Sequence, residues 1–280
     1  MWKILYLIVL ITNIHVPIFA DRTVVIADVH GDINRFRIIL KDAGVVDKYD
    51  NWIAPPNTTV IQLGDQIDPK NKHISNKEKH HFDMIYYTDS LQSEAEKQDG
   101  TFVSMIGNHE HMNIERIRSN NPALLNMIAK RPIVFTKGNN IYCHASVKMH
   151  HYLIMQMYNV SFDDINNMWS KYVQNNTTTE MEDYLIHEFI TGENSIIYTK
   201  TPDSKYNISV LFDTLDINNM FVGHLVSKYV HMKHRIWYLD QFLENAFDDN
   251  IYTYVTIQDD TDIVIKSLKK WHWTEFFIII

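Results

Sequence analysis

Five short segments of this chain end in residues that bind metals or move protons. Asp28, His30 and Asp32 stand in DVHGD, Asp65 and Asp68 in GDQID, and Asn108, His109 and Glu110 in GNHE. Two later histidines, His144 in YCHAS and His224 in VGHLV, complete the set. Any one of them reads as an ordinary satisfied polar group, since most buried polar groups are simply paired. Together they offer carboxylate, imidazole and amide donors, a mixture that suits Mn, Fe or Zn better than Mg or Ca. Two cations a few ångströms apart need one bridging carboxylate; they clamp a phosphate and activate a water for in-line displacement. Asp28 and His30 lie two apart and can face one ion. Asp65 is the natural bridge, and Asn108, His144 and His224 can close a second ion.

These residues need rigid elements behind them. Thr23 to Ala27, Thr59 to Leu63 and Thr101 to Ile106 are apolar, largely β-branched runs, each followed by a polar loop containing glycine. Such runs read as buried strands. Ile33 to Ala43 and Lys77 to Lys97 between them are compatible with helices, so the order predicts α/β layering with the site at the carboxyl ends of the strands. Ile133 to Thr136 and Asn140 to His144 read as paired strands around Lys137-Gly138. Met149 to Phe189 reads as helix in two or three pieces, with Asn175 to Thr179 as a polar break. Met220 to Val222, Arg235 to Leu239, Ile251 to Ile257 and Ile263 to Ile265 read as late strands. The expectation is a single domain over 21–280 with a helical insertion at about 148–195.

DVHGD, GDQID and GNHE followed by separate strand-end histidines resemble the calcineurin-like metallophosphoesterases. GNHE is similar to the phosphoprotein phosphatase form, and GNHEHMN with RPIVFTKGNNIYCHAS resembles its Shewanella-like branch. The resemblance spans roughly Thr23 to Asp240. It implies a two-layer central β-sandwich flanked by helices, with two divalent metal ions at the sheet edge. Asp28, His30 and Asp65 would hold one metal; Asp65, Asn108, His144 and His224 the other. A metal-bridging hydroxide would be the nucleophile, His109 the general acid and Asp68 its orienting partner. That division suits a histidine titrating near neutrality beside a carboxylate. Glu110 reads as a residue supporting the ligands rather than as one of them.

The chain departs from the family where substrate phosphate is gripped. The pattern after GDxxD carries arginine and then glycine; here Pro69 and Lys70 stand there. Proline cannot supply a bidentate fork; Lys70 offers a point charge. A second arginine is expected near SIIYTK, where Lys200 stands, and lysine is not its equivalent. The family HGG is changed to His144-Ala145-Ser146. Substrate-binding candidates are therefore Lys200, Lys70 and Asn108.

The net charge of −8 argues against a nucleic-acid partner, and a single cysteine, Cys143, excludes a disulfide scaffold. Buried beside His144, Cys143 lacks an activating partner in the motifs and is not expected to be a nucleophile. The opening MWKILYLIVLITNIHVPIFA has the layout of a signal peptide over 1–20, too short to span a membrane comfortably. Asn-x-Ser/Thr at Asn57, Asn159, Asn175, Asn176 and Asn207 adds weak support for a secreted glycoprotein. Membrane association is expected only if the leader stays uncleaved. His73, His80 and His81, like His150, His151, His231 and His234, read as solvated faces rather than metal sites. Trp271 and Trp273 read as ordinary burial rather than an interface, and the apolar Phe276 to Ile280 as a terminal strand or a partner contact. The function expected is phosphomonoester hydrolysis on a phosphorylated protein or small phosphoester. The alternatives are a nucleotide or dinucleotide hydrolase on the same scaffold, or a secreted metal-binding pseudophosphatase.

Overall fold

The computed structural model describes residues 20–69, 82–176, 179–241 and 251–269. Residues 1–19, on which the expected signal peptide falls, and Lys70, His73, His80, His81, Trp271, Trp273 and Phe276 to Ile280 lie outside them.

Strands β1 (Arg22–Ile26), β2 (Thr58–Gln62) and β3 (Thr101–Ser104) are adjacent and parallel. The antiparallel pair β9 (Ile251–Gln258) and β10 (Asp262–Lys269) extends this sheet, giving the order β10-β9-β1-β2-β3. The second sheet runs β4-β5-β6-β8-β7. Its members are β4 (Val134–Lys137), β5 (Asn140–Cys143), β6 (Asn219–Val222), β7 (His231–Lys233) and β8 (Ile236–Tyr238), with β5, β6 and β8 parallel. All five motif segments thus leave the carboxyl ends of parallel strands, three from one sheet and two from the other.

Period-two alternation splits each strand between two cores. Val25, Ile61 and Val103 face the second sheet and pack with Tyr142, Phe221 and Leu239. Val24, Ile26, Val60 and Phe102 face the other way, onto helices α1 (Ile33–Asp42) and α2 (Asp83–Glu96). Strands buried on both faces need apolar residues at every position, hence their unbroken hydrophobic runs. Between the sheets Tyr142, Phe221 and Trp237 are cross-strand neighbours and stack, with ring centroids 5.1 and 6.0 Å apart.

The outer face of the second sheet is covered by helices. α6 (Met149–Tyr158), α7 (Phe162–Val173), α8 (Glu180–Ile186) and a π-helical turn (His187–Thr191) fill the stretch expected to be helical. Ser161 and Asp164 form a capping box on α7, which buries Ile165, Trp169 and Val173 at helical spacing. Three helices, α3 (Asn108–Met112), α4 (Ile114–Asn120) and α5 (Pro122–Ala129), lie in a stretch to which the strand–loop–helix reading assigns none. The same holds for α9 (Lys205–Leu215) and for β7. The first two of these helices have five and seven residues, so a hydrophobic period barely develops in them.

The stacked ladder gives a test of the sandwich. Phe221→Ala should destabilise the fold by about 3–5 kcal/mol, the usual cost of emptying a fully buried aromatic site. Urea unfolding would show it as a lower midpoint at unchanged slope.

Candidate metal centre

The DVHGD loop leaves β1 and turns at once into α1. Asp32 is the helix N-cap and accepts a hydrogen bond from the Arg35 N–H at 3.0 Å, so its role is to start α1. Asp28 and His30 remain in the turn. Both are buried, with His30 Nε2 3.9 Å from Asp28 Oδ2 and 3.8 Å from Asp65 Oδ2. The His30 Nδ1–H donates to the Ile67 carbonyl at 3.4 Å, which leaves Nε2 to face the carboxylates.

The GDQID and GNHE loops touch through their backbones. A Cβ on Gly64 would lie 2.5 Å from the Gly107 nitrogen, and one on Gly107 would lie 2.3 Å from Asp65 Oδ1. Only glycine permits this approach. Glu110 then ties the two loops. Its carboxylate accepts the N–H groups of Asp65 (2.9 Å), Gln66 (2.8 Å), Ile67 (3.3 Å) and Gly107 (2.8 Å). It is fully buried and uses its acceptors on backbone, so it supports the ligands rather than joining them. Burial and the neighbouring Asp65 push its carboxyl upward, and the bonds from Gly107 and Gln66 oppose that.

Asp65 lies between two groups of donors. Oδ2 faces His30 and the His109 Nε2, each at 3.8 Å, while Oδ1 lies 3.3 Å from His144 Nε2. Asp65 is the residue common to both clusters whose donor atoms converge closely enough for one ion: His30, Asp65 and His109, and Asp65, His144 and His224. Asn108 joins the second group, its Oδ1 3.0 Å from His144 Nε2. Asp28 accepts the His224 backbone N–H at 3.2 Å and lies 3.9 Å from His144 Nδ1. The structure therefore brings Asp28, His30, Asp65, Asn108, His109, His144 and His224 together.

The donor chemistry calls for cations. The Leu63 carbonyl can only accept, so the His144 Nδ1–H donates to it at 2.8 Å. That leaves the Nε2 lone pair facing two oxygens, Asn108 Oδ1 and Asp65 Oδ1, and a positive charge must sit among them. Without metal a proton serves: burial works against the charge, but Asp65 and Asp28 overcome it and raise the His144 pKa to about 10. Asp28 is raised well above the usual carboxylate range by burial and by repulsion from Asp240. Burial acts in the same direction on Asp65, but His144, His30 and His109 hold it well below that range. His224 is pushed down to about 4 by burial and by the charge on His144, so it is neutral with a free lone pair. Two cations would fit this set.

Four of the residues pay in backbone conformation. His30, Asp65, Asp68 and His224 have φ of 43, 51, 59 and 47°, in the left-handed region that costs a residue with a side chain roughly 1–2 kcal/mol. Strain of this kind gathers where the surroundings over-determine a functional geometry.

His109 holds the opening of α3. Its Nδ1 lies 2.6 Å from Asp68 Oδ2, so Asp68 fixes Nδ1–H and turns Nε2 toward Asp65. Asn113, one helical turn on, donates to Asp68 Oδ2 at 2.9 Å and to the His109 carbonyl at 2.9 Å. Its i+4 spacing from His109 was the available signal in the sequence, where no role is assigned to it. Tyr198 was also unassigned; its hydroxyl meets His111 Nδ1 at 2.7 Å, and no local pattern announces that pairing. Pro69 packs onto the DVHGD loop, its Cγ 2.7 Å from where a Cβ on Gly31 would stand. Lys200 is exposed and lines a cleft with His224. Cys143 is buried, and burial pushes its thiol up to about 12, as suits an inert residue.

No family model matches the chain. Over 95 residues it is 37% identical to Shewanella-like protein phosphatase 2 of Arabidopsis thaliana, a stretch covering 34% of this chain and 22% of that relative. Shewanella-like protein phosphatase 1 of Plasmodium berghei is 32% identical over 94 residues, covering 33% of this chain and 23% of the relative. The match thus spans under a quarter of either relative. Among solved structures, a cold-active protein-tyrosine phosphatase of a psychrophilic Shewanella aligns with TM-score 0.67 and 14% identity, over 90% of this chain and 81% of that one. A serine/threonine phosphatase from Saccharomyces cerevisiae aligns with TM-score 0.57 and 12% identity, over 91% and 82%. The chain has the calcineurin-like metallophosphoesterase fold. The strand-end loops that meet at this centre are the DVHGD, GDQID, GNHE, YCHAS and VGHLV segments singled out in the sequence.

Two outcomes test the centre. Because His144 keeps its proton up to about pH 10, a cation must displace it. Metal uptake at pH 7 should release about one proton at this position and tighten as pH rises; calorimetry in buffers of different ionisation enthalpy reads it. Glu110→Gln turns an amide N–H₂ toward backbone donors. It should cost on the order of 3 kcal/mol of stability and lower bound metal, read by thermal unfolding and elemental analysis.

Proposed function

We propose that this metallophosphoesterase hydrolyses phosphomonoesters in the manner of the protein phosphatases, with a phosphorylated protein as its substrate. The observation that carries the reading is the His109–Asp68 pair. A buried metal site needs no imidazole held at 2.6 Å by a carboxylate at its rim, but proton delivery does. Two divalent cations (Mn, Fe or Zn) would be held by Asp28, His30 and Asp65 and by Asp65, Asn108, His144 and His224. They would polarise the phosphoryl oxygens and lower the pKa of a water between them.

The chain's own residues do the rest. Asp68 sets the His109 tautomer and favours its charged form, so Nε2 carries a proton to the leaving oxygen. Asn113 keeps Asp68 from rotating away. Asn108 and Lys200 would meet the phosphate, and Lys200 would replace the expected arginine with a point charge, which predicts weaker grip on the phosphate. Lys70, outside the described residues, would be a further point charge. The names of the similar solved structures include both a tyrosine and a serine/threonine phosphatase. The proposal includes export. The apolar opening segment and the exposed acceptors Asn57, Asn159 and Asn175 support it, and N-terminal sequencing of the exported protein should begin at Asp21.

His109→Asn should lower turnover of an aryl phosphate by roughly 10²–10⁴-fold while bound metal stays level. Loss of metal would instead make His109 a ligand, in keeping with its place beside His30 and Asp65. Asp65→Asn should lose both metal and turnover. Turnover that survives His109→Asn rejects the acid role.

A further inference from the structure

The cleft that holds Lys200 and His224 extends along the β7–β8 hairpin. It encloses about 430 Å³, and His231, Lys233, Ser227 and Tyr238 line it too; the volume falls within the range of pockets that hold small groups. From Ile217 to Leu239 the chain carries no Asp or Glu, while Lys228, Lys233 and Arg235 fall inside that stretch, in a protein of net charge −8. Arg235 is committed to Asp213 and to the carbonyls of Asn218 and Ile217. Lys200 and Lys233 are exposed, and neither has an ion pair or a side-chain hydrogen bond among the described residues.

His231 and Lys233 share one face of β7. The His231 ring stacks on Tyr238 with centroids 5.0 Å apart, and its Nδ1–H donates to the Tyr229 carbonyl at 3.0 Å. These contacts fix the ring. They also occupy one face of Tyr238, and Lys228 sits over the Tyr229 ring at 5.2 Å. Val226 and Tyr229 are exposed beside the lysines.

We infer that this cleft is a specificity subsite: Lys233, with Lys200 and His231, receives an acidic side chain next to the phosphorylated residue of a protein substrate. The inference rests on the protein phosphatase reading above and adds to it a substrate class. A lysine ammonium is a compact point charge that meets a carboxylate from many directions. His224, one of the residues that would hold a cation, lines this cleft beside the lysines, so an acidic neighbour of the phosphorylated residue would meet them while the phosphate is at the metal centre. Apolar Val226 and the Tyr229 ring suit a peptide with mixed side chains better than a small phosphoester.

The test uses the full chain loaded with Mn²⁺ and three phosphopeptides of one core sequence, flanked by acidic, neutral or basic residues. Phosphate release gives kcat/KM for each. Wild type should prefer the acid-flanked peptide over the neutral one by about fivefold, the scale of one exposed ion pair. The preference should shrink in 0.5 M NaCl, where screening is short-ranged. In Lys233→Ala it should fall toward one, and in Lys233→Glu the basic peptide should overtake the acidic one. Equal use of the three peptides by wild type, or a preference that Lys233→Glu leaves in place, overturns the subsite. An aryl phosphate run alongside separates the two readings. If wild type hydrolyses no phosphomonoester, the catalytic reading fails. Fluorescence anisotropy with the same peptides then decides the subsite, by the same ranking and its reversal in Lys233→Glu.

Discussion

One buried carboxylate organises the centre. Glu110 reaches no water and accepts four backbone N–H groups from the second and third motif loops. Those donors point inward because Asp65 turns through a positive φ, a conformation that would not persist without a strong acceptor at its centre. The anchored turn sets the direction of the Asp65 carboxylate, with one oxygen toward His30 and His109 and the other toward His144. Gly64 and Gly107 let the two loops come close enough for one side chain to hold both.

The electrostatics follow from that placement. Two buried carboxylates, Asp28 and Asp65, repel each other and draw cationic partners. His144, held by the Leu63 carbonyl, takes up positive charge, whereas His224 beside it stays neutral. Such a cluster concentrates buried oxygen and imidazole donors around a place where positive charge is favoured, and that is the physical case for divalent cations. A second network ties the helical layer to this centre. His111 on α3 meets Tyr198 at 2.7 Å and Tyr172 on α7 at 3.1 Å, and burial pushes it down to about 4. It therefore acts as a neutral hydrogen-bonding joint between the helical layer and the segment that carries Asn108 and His109.

The same logic separates the grip on phosphate from the site that positions metals. Pro69 closes onto Gly31 and contributes shape rather than charge. Positive charge appears instead on the far side of His224, at Lys200 and along β7. On the proposed reading, these lysines would read the surroundings of the phosphate, where an arginine fork would read the phosphate itself.

What the sequence determined by itself is local. Apolar runs followed by Gly, Asp, His or Asn are strands followed by turns, and β1, β2, β3, β5 and β6 fall where those runs lie because alternation and turn chemistry act within a few residues. The motif residues were legible for that reason, and the support role of Glu110 was legible from its motif. Helices α3 to α5 were not, because short helices are held by packing rather than by their own period. Tertiary structure alone decided the rest. His144 meets Leu63 across 81 positions and His224 meets Asp28 across 196. Only the closing of one sheet on the other brings both sets of strand ends to a common edge. His111 between two tyrosines and Lys233 in the cleft of His224 are likewise matters of through-space distance, to which no spacing along the chain corresponds.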